Sequence, residues 1–200
     1  MNIYLLRHGR TSWNHEQRLQ GITDTDLDRV GVRQSWRAAH WLRKAGVARI
    51  LTSPLRPARR TTNIIHARTL CPVSVDKRLH EIDHGLWAGL TVSSIERRFP
   101  AAFADWRFSP ETLRLPSAET LQGVYSRTSS VLSSMVTTET VADLLIVSHG
   151  VINALLICAA LGAPLSRVWE FSQNNGSLSV LRVERRQIVA VEKEIDVAAW

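Results

Sequence analysis

Two apolar runs in this 200-residue chain end in the same way. Ile3 to Leu6 leads into Arg7, His8 and Gly9, and Leu144 to Val147 leads into Ser148, His149 and Gly150. An arginine or histidine at the carboxyl end of a core strand is costly unless something charged meets it. In open α/β sheets that edge is where ligands bind. For a single residue of either kind, a polar strand tail reaching water is the simpler reading; the repetition at two strand ends favours chemistry. If the strands are parallel neighbours, both imidazoles stand at one edge of the sheet. A third run, ending near Leu51, would bring Ser53 and an arginine-rich helix start to the same rim. Paired histidines with converging arginines suit a phosphoryl group. A neutral imidazole can attack phosphorus and hold it covalently, while guanidinium forks and helix N-termini bind the charged oxygens.

The intervening elements must place these residues. Thr11 to Gly21 is polar and reads as a functional loop. Apolar residues at helical spacing predict a helix from Gly31 to about Lys44, stopped by Gly46. Ala48 to Leu51 is a short strand, and a helix follows from about Pro57 to Arg68. Val73 to Val75 is a strand and Leu79 to Leu90 a loop. Two short helices, before Pro100 and over Ala101 to Phe108, precede a proline-punctuated connection. Glu119 to Val136 reads as an amphipathic helix. Leu144 to Val147 is an intensely apolar strand, and a helix runs on to Leu161. Ser177 to Val183 and Ile188 to Val191 close the pattern as strands. Strands alternating with helices imply a three-layer α/β/α sandwich with a mostly parallel central sheet. We expect one domain over residues 1–200, with a small helical cap inserted at about 90–117.

The hydrophobic fraction of 44% and charged fraction of 22% are those of a globular protein. No run approaches the length of a membrane span, and the N-terminus does not resemble a secretory signal. Cys71 and Cys158 sit in apolar contexts and read as reduced core thiols, so a cytoplasmic location is expected. The formal net charge of +7 is mostly arginine and is scattered along the chain, with no basic run interleaved with aromatics. It suits a small anionic substrate, and neither a nucleic acid nor a membrane is expected as partner. A homodimer is left open.

The motifs resemble those of the histidine phosphatase superfamily, the phosphoglycerate mutase-like family. L-R-H-G-R-T-S-W-N resembles its signature, Q-G-I-T-D-T-D-L the following loop, and S-P-L-R-P-A-R-R-T its S-x-L-x-R-A-x-x-T segment. R-L-H-E-I-D-H-G-L-W-A-G-L-T resembles its acid-bearing segment, and P-S-A-E-T-L, V-S-H-G and N-G-S near Asn175 follow in the family's order. The resemblance spans nearly the whole chain. It implies that His8 is the nucleophile and that Arg7 and His149 clamp the phosphoryl oxygens, with Gly150 beside them. Asn14 and the backbone around Gly21 would complete the cradle. Glu81 would be the general acid and then the base. It also implies a phosphomonoester substrate and no metal or cofactor.

Two positions depart from the family pattern. Arg10 follows R-H-G where Glu or Gln is common. Pro57 stands where the family's phosphate-binding arginine belongs, and Arg56 is expected to replace it, with Arg60 as the alternative. Arg10 could compensate for the lost charge. The short cap favours a phosphatase over a glycolytic-type mutase, and a phosphate-binding pseudoenzyme is the alternative outside enzymology. Trp106, Arg107 and Phe108 in the cap are candidates for substrate choice. His80-Glu81-Ile82-Asp83-His84 also spells H-E-x-x-H, the pattern of zinc metalloproteases. That pattern needs a helix, whereas extended chain precedes it and Gly85 and Gly89 follow.

Overall fold

The alternation of strand and helix is realised in the computed structural model, which describes residues 1–137 and 142–195. The first half contains β1 (Asn2–Arg7), α1 (Ser12–His15), α2 (Arg29–Ala45), β2 (Arg49–Thr52), α3 (Arg56–Thr69) and β3 (Val73–Val75). The cap helices α4 (Val92–Arg98) and α5 (Pro100–Phe108) follow, then α6 (Leu121–Thr137). β4 (Leu144–Ser148), α7 (Gly150–Leu161), β5 (Leu178–Glu184) and β6 (Gln187–Ile195) complete the described chain.

The six strands form one sheet in the order β3-β2-β4-β1-β5-β6. The first four in that order run parallel, β5 is antiparallel to β1, and β6 is antiparallel to β5. Pleating sends alternate residues of β1 to opposite faces. Ile3 and Leu5 join Leu144, Ile146 and the apolar sides of α6 and α7. Tyr4 and Leu6 join Leu145, Val147 and the small or branched residues Ala39, Leu42, Ala58 and Ile65 of α2 and α3. Both faces are therefore covered, which is why the central strands read as continuous apolar runs. A separate cluster of Trp87, Ile95, Phe103 and Leu113 fills the cap.

Local signals account for the helix limits. Asp28 caps α2 by accepting the Gly31 N–H at 2.7 Å, and Gly46 ends it in the left-handed region at φ 73°. Gly31 and Gly9 together let the signature loop rest on the helix: a Cβ on Gly31 would run into the Arg10 carbonyl oxygen, and one on Gly9 into the Gly31 carbonyl. The expected loop over Thr11 to Gly21 instead begins with α1. Thr11 and Asn14 form a capping box there, each side chain bonded to the other's backbone N–H at 3.1 Å. Two 3₁₀ turns, Lys77–Leu79 and Gly85–Trp87, bracket the expected loop around Glu81. A third, Leu165–Phe171, had no periodic signal in the sequence.

Candidate active site

The parallel pairing of β1 with β4 sets Arg7 opposite Ser148, and the His8 N–H donates to the Ser148 carbonyl at 3.0 Å. The two imidazoles thus meet at the carboxyl edge with ring centroids 5.1 Å apart. Beside them is a cavity of about 230 Å³, lined at its polar end by Arg7, His8, Asn14, Glu81, His149 and Gly150. Every one of these follows a strand end, a capping residue or a helix start.

His8 Nδ1 lies 2.8 Å from the Gly9 carbonyl oxygen, which can only accept. Nδ1 therefore carries the ring proton and Nε2 keeps its lone pair. Burial, followed by the Arg7 guanidinium, lowers the His8 pKa to about 3, so the ring is neutral at pH 7. Burial and the neighbouring His8 and Arg7 likewise hold His149 well below the ordinary histidine value. Its Nε2 is 2.7 Å from Ser53 Oγ, carried past the end of β2.

Arg7 donates from Nη1 to the Gln173 carbonyl at 2.5 Å, while its buried Nε has no hydrogen-bond partner. A guanidinium at the sheet edge with donor capacity to spare is suited to an anion. Glu81 accepts the Ile82 N–H at 2.9 Å on Oε1 and the Val151 N–H, from the first turn of α7, at 3.3 Å on Oε2. Burial nonetheless raises its pKa above the usual glutamate range. A carboxyl that tends to keep its proton can donate one.

Asn14 is held by its oxygen. Oδ1 accepts from the Thr11 N–H and hydroxyl and from Asn175 Nδ2, each at 3.1 Å, leaving its amide nitrogen uncommitted. Asn175 Nδ2 also donates to the His8 carbonyl at 3.2 Å. The apolar wall includes Leu19, Leu55, Pro57, Val151, Trp106 and Trp169. Trp169 donates from Nε1 to the Trp106 carbonyl at 2.7 Å, and the two rings are 4.5 Å apart, fastening α5 of the cap to the segment after α7.

The comparisons with known proteins agree with this geometry. The sequence model of the histidine phosphatase superfamily, branch 1, matches residues 3–196. The chain belongs to the histidine phosphatase superfamily. Phosphoserine phosphatase 1 of Hydrogenobacter thermophilus is 32% identical over 196 residues, covering 98% of this chain and 92% of its own. A probable phosphoglycerate mutase, GpmB, of Klebsiella pneumoniae is 33% identical, covering 94% of this chain and 86% of its own. Among solved structures, Bacillus stearothermophilus YhfR superposes with a TM-score of 0.91 at 31% identity, over 98% of both chains.

Within this superfamily fold, most residues singled out from the sequence converge. Arg7, His8, Asn14, Gly21, Glu81, His149 and Gly150 all line the cavity. Arg56 does not. At the first position of α3 its side chain is 59% exposed, and Nε lies 3.8 Å from Asp24. Leu55, in the extended backbone of the N-cap, and Pro57 face the cavity, while Arg56 between them turns to solvent. Arg60 is also exposed and outside the lining. Arg10 is spent elsewhere, its Nε 2.7 Å from Asp28 at the start of α2, so it does not replace charge at Pro57.

The second cavity guanidinium is Arg18, which the sequence reading passed over. It is fixed by Glu16 at 2.9 Å and the Gly89 carbonyl at 2.6 Å, tying the signature loop to the base of the cap. A lone cation in a polar stretch carries no periodic signal. Of the three cap candidates Trp106 lines the cavity, whereas Arg107 and Phe108 do not. The H-E-x-x-H pattern is not helical: residues 80 to 84 lie between two 3₁₀ turns, and His84 packs edge-on against Trp106 at 5.4 Å. Its side chains therefore lack the one-face placement that a metalloprotease site needs.

Proposed function

We propose that the protein hydrolyses small phosphate monoesters through a phosphohistidine at His8 Nε2. The observation that carries this reading is the His8 tautomer, fixed by Gly9, with its free nitrogen beside a partly unpartnered buried arginine. The lone pair of Nε2 forms the N–P bond as the ester P–O bond breaks. Glu81 delivers its proton to the departing alkoxide. Arg7, the Asn14 amide, His149 and the first turn of α7 stand around the phosphoryl oxygens, whose charge is greatest during transfer. In the second half, Glu81 takes a proton from water as the water oxygen attacks phosphorus, and the N–P bond returns its electrons to His8.

The relatives named as a phosphoserine phosphatase and as a probable phosphoglycerate mutase support phosphoryl chemistry and differ in its acceptor. The small two-helix cap favours water, and the two buried cysteine side chains agree with a reducing, cytoplasmic setting. Among the described residues no single helix is long and apolar enough to cross a membrane. The test is an alkaline quench during turnover of a ³²P-labelled monoester. Acid-labile label on the wild type and none on His8→Ala supports the mechanism. Turnover of His8→Ala at more than about a hundredth of the wild-type rate removes His8 as nucleophile.

A further inference from the structure

We infer that the outer face of α2 and α3 is a docking surface for a single-stranded nucleic acid, independent of the catalytic cavity. These two helices carry nine of the chain's 25 Lys and Arg and none of its 18 Asp and Glu, leaving 16 cations against 18 acids elsewhere. From residue 29 to residue 75 the chain contains no acidic residue. Along the sequence these charges are scattered. The fold gathers them, because both helices bury their small residues on the same face of the sheet and lie side by side. Arg29, Arg33, Arg37, Arg43 and Lys44 of α2 and Arg59, Arg60 and Arg68 of α3 are all exposed. Among the described residues, the single acidic partner on the two helices is Asp24, at Arg56.

The choice of partner rests on chemistry. Eight of the nine cations are arginine, whose planar fork matches phosphate oxygens. Arg29, Arg33 and Arg37 recur every four residues, a spacing of about 6 Å along the helix, comparable to successive phosphates of an extended strand. Between the helices lies a groove of about 380 Å³ lined by Trp36, His40, Arg43 and Arg68. The Trp36 ring is 41% exposed and the Arg68 guanidinium sits 4.9 Å from its centre. An aromatic ring inside a cationic groove is the platform on which single-stranded bases stack. A lipid surface would call for several protruding apolar side chains, and on these two helices and their caps only Trp36 and the C-cap Leu70 are large, hydrophobic and exposed.

The test is fluorescence anisotropy of the full chain with a 5′-fluorescein-labelled dT20 bearing a free 3′-hydroxyl, in saturating inorganic phosphate. Micromolar binding is expected at 50 mM KCl. A slope of log K on log[KCl] of about −3 corresponds to four phosphate contacts. Arg33→Glu with Arg37→Glu should weaken binding at least tenfold. The same charge change at Arg97 and Arg98, exposed on cap helix α4 and away from the face, should shift it less than twofold. Trp36→Ala should weaken it about fivefold with the salt slope unchanged. Each variant should keep wild-type turnover of an aryl phosphate, which also reports that it is folded. Where the double variant fails that check, Arg68→Gln replaces it. No binding at 50 mM KCl, equal loss from the Arg97/Arg98 pair, insensitivity to Trp36, or tighter capture by phosphatidylglycerol vesicles overturns the inference.

Discussion

Glu81 is charged with opposite tasks by its surroundings: two backbone N–H groups favour the carboxylate, while burial favours the acid and prevails. The residue can therefore give a proton and take it back. Glu81→Gln keeps the shape and the accepting oxygen while removing the proton. Its effect depends on the leaving group, because p-nitrophenolate departs without protonation and an alkoxide does not. With p-nitrophenyl phosphate the variant should release close to one equivalent of product in a burst and then turn over slowly. With an alkyl phosphate the burst should vanish and the rate should fall by about 10²–10⁴. Stopped-flow absorbance checks the first and phosphate release the second; equal losses on both esters would exclude Glu81 as the acid. Asn175 was visible in the sequence only as part of N-G-S. Its bonds to Asn14 and to the His8 carbonyl make it a positioning residue for two groups that line the cavity.

Element placement decides what holds each part of the cavity wall. Strand pairing fixes the histidines, whereas the cap wall depends on the Trp106–Trp169 clasp. The same scale shows a cost on the opposite side of the sheet. Arg29, Arg33 and Arg37 repel one another at i, i+4 along α2, each such pair opposing the helix by about 0.2–0.5 kcal/mol. Arg33→Glu replaces two repulsions with two attractions. It should raise stability by roughly 0.8–2 kcal/mol, a gain that thermal or urea unfolding would register and that 1 M salt should largely erase. A destabilised variant would mean that Arg33 makes a favourable contact in the fold.

Across the whole molecule, the buried histidines link stability to pH. His8 is depressed to about 3 and His84, by burial, to about 4, while the unfolded chain titrates near 6.5. Below pH 6.5 the unfolded state takes up protons that the folded state refuses, so stability present at neutral pH is lost on acidification. His84 alone accounts for about 3 kcal/mol between pH 6.5 and 4. Glu81, with its raised pKa, works in the opposite sense and offsets part of this loss. Urea midpoints should fall steadily from pH 7 to pH 4.5. A constant midpoint would contradict neutral burial of these rings.

The sequence by itself determined the strands, the longer helices and the two strand-end histidines, because burial on both faces and capping leave local, periodic marks; α1 and the 3₁₀ turns were not legible. It also determined the acid segment through an ordered set of motifs. Tertiary structure decided which cations reach the cavity. Pro57 and Leu55 face inward and Arg56 outward at the junction of an extended N-cap with the start of α3, and Arg18 arrives through a loop whose partner carbonyl, Gly89, is 71 residues away. It also decided the charge pattern. Arginines spread over two helices become one face only because α2 and α3 bury their opposite sides on the same sheet, a relation set by strand order and carried by no local spacing.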